Sequence, residues 1–135
     1  MANALYDTGR NAFLQADVDW LVDDIKCVLV DAADYTPNLA TDQFLSDIAA
    51  GGRVATSGNL ASKTAVAGVA DAADVTFSTV TGDQSELLII YKDTGVATTS
   101  QLIAKIDTAT GLPVTPNGGD IVVTWDNGAT KIFKL

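Results

Sequence analysis

The sequence predicts a mainly β domain, a β-sandwich or jelly-roll-like antiparallel fold with an N-terminal helix or arm and one short helix. Three observations predict it. Acid is carried almost wholly by Asp, since Glu86 is the only glutamate, and Asp favours caps and turns where Glu favours helix. Threonine is abundant, as at Thr76, Thr79 and Thr81, and its branched Cβ suits strands. The remaining apolar residues fall into about seven short runs separated by Asp, Gly and Asn, the spacing of a small all-β domain.

The elements follow in order. Residues 1–16 form an N-terminal helix or arm, with Asn3 able to cap and Leu5, Ala12, Phe13 and Ala16 at roughly helical spacing. Gly9 in its middle weakens a helix by about 1 kcal/mol relative to Ala. Residues 17–135 make a single β-sandwich domain. Its first strand, Ile25–Val30, is apolar on both faces and so is buried on both. Asp31–Pro37 turns the chain, and a short helix is expected from Thr41 to about Ala50, capped by Thr41 and stopped by Gly51-Gly52.

Strands are then expected over 53–60, 63–70 (with Gly68 as a bulge), 74–81, 86–92 and 101–107. Leu87-Leu-Ile-Ile-Tyr91 is the most apolar of them and belongs at the centre of a sheet, with 101–107 its antiparallel neighbour. Residues 108–117 hold Gly111, Pro113 and Pro116 and must be irregular. Asn127-Gly128 lies between two alternating runs, Asp120–Asp126 and Ala129–Leu135. That is the dipeptide a type I′ hairpin turn prefers. The echo between Asp31-Ala-Ala-Asp34 and Asp71-Ala-Ala-Asp74 is too short to be a repeat.

Charge bounds the partners. Eight basic and 17 acidic residues give a net charge of −9, which repels phosphate backbones and anionic lipid, so neither nucleic acid nor membrane is an expected partner. The same charge keeps a concentrated protein soluble. The first ten residues carry no basic patch before an apolar run, so a secretory signal is not expected and the chain is expected to be made and folded in the cytoplasm.

Chemistry is scarce. The chain has no histidine and one cysteine, Cys27, which removes the commonest general base and any Ser-His or Cys-His triad. It contains no Gly-x-x-x-x-Gly-Lys, Gly-x-Gly-x-x-Gly, Gly-x-Ser-x-Gly or Ser-x-x-Lys. Cys27, inside an apolar strand, reads as an inert core thiol. Asp17–Asp23 opens like a calcium loop but lacks the central Gly, and its twelfth position is Val28. This loop and the Asp31–Asp34 and Asp71–Asp74 turns read as solvated carboxylates. No catalytic residue, metal ligand or cofactor is expected, and the chain is not expected to be an enzyme. Trp20 and Trp125 read as core or interface anchors.

Several segments then become familiar. Asp74-Val-Thr-Phe77, Ile90-Tyr-Lys-Asp-Thr-Gly95, the long run Ile106-Asp-Thr-Ala-Thr-Gly-Leu-Pro-Val-Thr-Pro-Asn-Gly-Gly-Asp120 and Trp125-Asp-Asn-Gly128 resemble a family of small virion structural proteins of tailed bacteriophages. The opening Met1–Asp7 and the Ile25–Asp31 strand are similar to the same family. The resemblance implies a virion protein, most simply a capsid decoration (cement) protein on the exterior of the head, with the major capsid protein and other copies of itself, as a trimer, for partners. The alternative is a tail or fibre component that binds a host-surface glycan; a carboxylate-dependent glycan hydrolase is the enzyme reading. The resemblance carries no functional residues with it. Apolar side chains that need a surface to lie against supply the interface candidates: Leu5, Tyr6, Phe13, Leu14 and Trp20.

Overall fold

The computed structural model describes residues 3–135. Met1 and Ala2, the first residues of the expected arm, lie outside the described residues. The chain is mainly β with antiparallel sheets, consistent with a β-sandwich domain. Its strands are β1 (Ala4–Leu5), β2 (Ile25–Val30), β3 (Arg53–Thr56), β4 (Thr64–Val66), β5 (Val69–Asp71), β6 (Val75–Phe77), β7 (Leu87–Lys92), β8 (Leu102–Ile106), β9 (Ile121–Val123) and β10 (Phe133–Lys134). One α-helix, α1, spans Asp7–Leu14.

Five strands form the main sheet in the order β1-β8-β7-β2-β3, and β7 lies at its centre as its apolar run requires. β2 and β7 pair along their full length, from Ile25 opposite Lys92 to Val30 opposite Leu87. A three-stranded sheet, β10-β5-β4, and a two-stranded one, β6-β9, complete the set. The main sheet is covered on both sides. On one face Ile25, Cys27, Leu29, Leu88, Ile90 and Ile106 pack with Ala70, Val75, Phe77, Ile121, Val123 and Phe133 of the smaller sheets. On the other, Val28, Val30, Leu87, Ile89 and Tyr91 pack with Tyr6, Tyr35, Leu45 and Ile48. Each fully buried Leu or Ile contributes about 1.5–3 kcal/mol, so β2 and β7 anchor the whole fold.

The N-terminal segment is sewn into this sheet. β1 pairs with β8, Ala4 opposite Lys105 and Leu5 opposite Ala104, and Tyr6 N donates to Ile103 O at 3.0 Å. Asn3 does not cap the helix: its Oδ1 accepts from Asp107 N at 2.9 Å and its Nδ2 donates to Thr108 Oγ1 at 2.8 Å. α1 then lies on β8 where the pairing skips Ile103, because Ile90 faces Ala104 while Tyr91 faces Leu102. That extra residue is a bulge.

The helix expected over 41–50 is replaced by two single 3₁₀ turns, Leu45–Asp47 and Ala50–Gly52. The Asp47 carboxylate accepts from Gln43 N at 2.7 Å and Phe44 N at 2.9 Å. Leu45 N donates instead to Ser100 O across the fold at 2.9 Å. Side-chain capping and a tertiary partner have taken the backbone groups a helix would have used. Elsewhere Asp19, Asp31, Asp42, Asp93 and Asp126 likewise accept backbone N–H groups in loops, which gives the Asp bias of the sequence its physical use.

The expected 63–70 strand is a hairpin. β4 and β5 pair with Val66 opposite Val69, and the two residues between them have positive φ, 53° at Ala67 and 78° at Gly68. That is the type I′ turn. Conversely, Asn127-Gly128 makes no hairpin: β9 pairs with β6 and β10 with β5. Trp125 is what diverts the chain, its main-chain N–H bound by Asp74 Oδ1 at 3.1 Å and its indole by Ala73 O at 2.9 Å. Asp126 Oδ1 then accepts from Gly128 N at 3.0 Å, a local Asx turn.

Two ion pairs close one end of the main sheet, Lys26–Asp93 at 2.8 Å and Lys92–Asp23 at 3.1 Å. The Lys26 ammonium and the Gly95 N–H hold the Asp93 carboxyl below its usual range, against a smaller cost of desolvation. At Asp23 desolvation pushes upward, and the Asp19 N–H together with Lys92 outweighs it, so this carboxyl too is lowered. A carboxyl lowered in the folded state contributes stability above its unfolded value, near pH 4, and loses that contribution as pH falls through the lowered one. The melting temperature is therefore expected to drop below about pH 4. Asp93→Asn should melt lower than the parent at pH 7, with the gap closing in acid; a constant gap would show that the pair contributes nothing through its charge.

Candidate functional site

The five sequence candidates separate cleanly. Leu5, Tyr6 and Trp20 are 5%, 0% and 6% exposed and belong to the core of their own chain. Tyr6 OH meets Tyr35 OH at 2.8 Å, and Tyr35 OH donates to Asp42 Oδ2 at 2.7 Å. Phe13 is half-buried against Phe133, with ring centroids 5.9 Å apart. Only Leu14, 84% exposed, stands out into solvent. Within the Leu5–Leu14 segment expected to dock, the fold buries Leu5 and Tyr6, half-buries Phe13 and leaves Leu14 in solvent.

Other apolar side chains join Leu14. Leu21, Val22, Val66 and Leu135 are exposed, and all lie on elements that meet around Trp20. The Trp20 ring stands edge-on to Phe133 at 5.2 Å, and its indole donates to Thr64 O of β4 at 3.0 Å. Lys63 Nζ reaches Asp23 O across the same junction. Leu135 N donates to Gly68 O at 3.0 Å, fixing the last strand beside the β4–β5 hairpin. The signal for Leu21 and Val22 was legible: two bulky apolar residues amid loop Asp residues with no strand to bury them. Val66 was hidden by the misplaced turn.

β4 is a free edge, exposed at all three residues; Lys131 lines a concavity with Thr64 and Val66 of β4, and Lys134 lies on β10 at the opposite edge of the same sheet. Four cations, Arg10, Lys26, Lys92 and Lys105, are in ion pairs among the described residues; Lys131 and Lys134 are not. This region therefore combines apolar side chains with unpaired positive charge on an otherwise acidic protein. Such a surface suits protein–protein adhesion.

Cys27 and the carboxylates of the 17–23 loop are engaged within the fold. Cys27 is fully buried and desolvation pushes its thiol up to about 12, with Ser57 pulling weakly the other way, so no thiolate forms near neutral pH. In the 17–23 loop Asp19 Oδ1 accepts Leu21 N at 3.0 Å, and Asp23 Oδ2 accepts Asp19 N at 2.7 Å; these carboxylates already hold backbone. Asp31, Asp34 and Asp83 bring carboxylate oxygens within 4.8 Å of one another, Asp34 and Asp83 being exposed. The described surface carries several concavities of about 200 to 310 Å³. No helix among the described residues is long and apolar enough to cross a membrane. No protein-family model matches the chain, and no curated protein matches it.

Proposed function

We propose that this chain is a structural protein of a tailed-bacteriophage virion, acting as a decoration (cement) protein that binds the assembled head and stabilises it, with the major capsid protein as partner and as a trimer of identical copies. The reading is supported by the resemblance of its Pro- and Gly-rich C-terminal half to such proteins and by a fold whose ends are both paired into sheets. The observation that carries it is the gathering of Leu14, Leu21, Val22, Val66 and Leu135 on elements that meet at the Trp20–Phe133 contact. An adhesive protein needs such a surface, and a ring of copies multiplies its grip through avidity. The tail or fibre reading calls for an exposed aromatic platform on which sugar can stack. Trp20, Tyr35 and Trp125 are all core residues, 6%, 7% and 3% exposed.

The test is cosedimentation with purified heads, followed by electron microscopy of the decorated particles. The double variant Leu14→Asp, Val22→Asp changes only exposed side chains, so its melting temperature should stay near that of the parent. Its affinity for heads should fall by at least about tenfold, as expected for loss of apolar contacts at an interface core. Unchanged binding would remove this surface from the interface, and absence of the parent protein from purified virions would overturn the reading itself.

A further inference from the structure

We propose that the concavity at the other end of the main sheet is a receptor for a lysine or arginine side chain presented by a partner protein. It holds about 310 Å³ and is lined by Ala32, just beyond the end of β2, Glu86 and Leu87 at the start of β7, Asp107 just beyond the end of β8, and Pro113 of the loop between β8 and β9. Asp107 is the decisive member. Its side chain is only 6% exposed, and Oδ2 lies 3.4 Å from Lys105 Nζ. Its Oδ1 is buried and, among the described residues, has no hydrogen-bond partner. A buried carboxylate oxygen without a donor is costly, and such atoms mark places where a ligand completes the set.

Glu86 supplies the second carboxylate. Its Oε2 accepts Ala32 N at 2.9 Å, which fixes the side chain against the wall and leaves Oε1 for a ligand. Ala32, Leu87 and Pro113 provide apolar surface between the two acids. Together they match a cation on an aliphatic stem: methylenes lie along the wall while the ammonium or guanidinium meets the carboxylates. A calcium ion fits worse, since it needs six to eight oxygens and the lining offers two carboxylates among apolar groups. Asp31, Asp34 and Asp83, adjoining in sequence and clustered together, add negative potential that draws a basic side chain to this end. The proposal does not rest on where the chain sits in a particle.

The test titrates the full-length protein with n-butylammonium and, separately, n-propylguanidinium, reading backbone amide resonances, with n-butanol and calcium as comparisons. Both cations should shift Ala32, Leu87 and Asp107 saturably at millimolar concentration, and butanol should not. Asp107→Asn should weaken binding by at least about tenfold, the loss of a charge-assisted hydrogen bond. Glu86→Gln keeps an acceptor for Ala32 N–H and should weaken binding without unfolding the turn. Absence of saturable shifts, equal binding by Asp107→Asn, or calcium displacing the organic cations would overturn the proposal.

Discussion

Replacing Trp20 with alanine is expected to lower the free energy of unfolding by about 3–5 kcal/mol, a large share of the roughly 5–15 kcal/mol that holds a domain together. The size of the effect comes from what the indole joins. It is 6% exposed, stands edge-on to Phe133 with an interplanar angle of 82°, and donates to Thr64 O. Strands β4, β5 and β10 are only two or three residues long. A sheet this small is not stable without packing against something else, and Trp20 with Phe13 fastens two of its strands to the N-terminal loop. Urea denaturation gives the free energy directly. Trp20→Phe keeps most of the packing and gives up the Thr64 hydrogen bond, so its loss should be near 1 kcal/mol. If alanine cost under about 1 kcal/mol, Trp20 would be a surface anchor after all, as the sequence allowed.

That ambiguity shows where sequence reading succeeds and where it stops. β2 and β7 were legible because Cys27–Val30 and Leu87–Tyr91 are apolar at successive positions, which only a strand covered on both faces can use. Turn chemistry was legible as a kind and not as a place. Asn127-Gly128 and Ala67-Gly68 both permit positive φ, and the pairing partners decided between them: β5 takes β10 on one side and β4 on the other. No local signal reports a partner some sixty residues away. The 41–50 segment failed for a related reason, since Leu45 N–H is taken by Ser100 O and helix propensity is too weak to resist. At the candidate sites, Leu14 could be named because it is apolar in an amphipathic stretch. The Asp107 pocket could not, because its meaning lies in burial, and one Asp among many carries no mark of being buried.

Gly9 makes the same point with a measurable sign. Read from sequence, a glycine inside an eight-residue helix is a fault, and alanine there should stabilise by about 1 kcal/mol. The fold reverses this expectation. A Cβ built on Gly9 would lie 2.7 Å from Leu102 O and 3.0 Å from Ile103 Cα, and both are main-chain atoms. They cannot retreat easily, because Ile103 O accepts the Tyr6 N–H and the flanking residues of the bulge are paired to β7. Gly9→Ala is therefore expected to cost about 1–3 kcal/mol, the range for overpacking a tight contact. Gly51→Ala is the matched comparison, as nothing lies within 4 Å of its Cβ position, and it should change stability by less than about 0.5 kcal/mol. Thermal melts of the two variants separate the explanations: helix propensity predicts that Gly9→Ala melts higher than the parent, and close approach of α1 to the β8 bulge predicts that it melts lower. The second outcome would mean that this glycine allows the N-terminal helix to press backbone against backbone on the main sheet, so that residues 3–16 fold as part of the sandwich and leave Leu14 as their one large apolar side chain out in solvent.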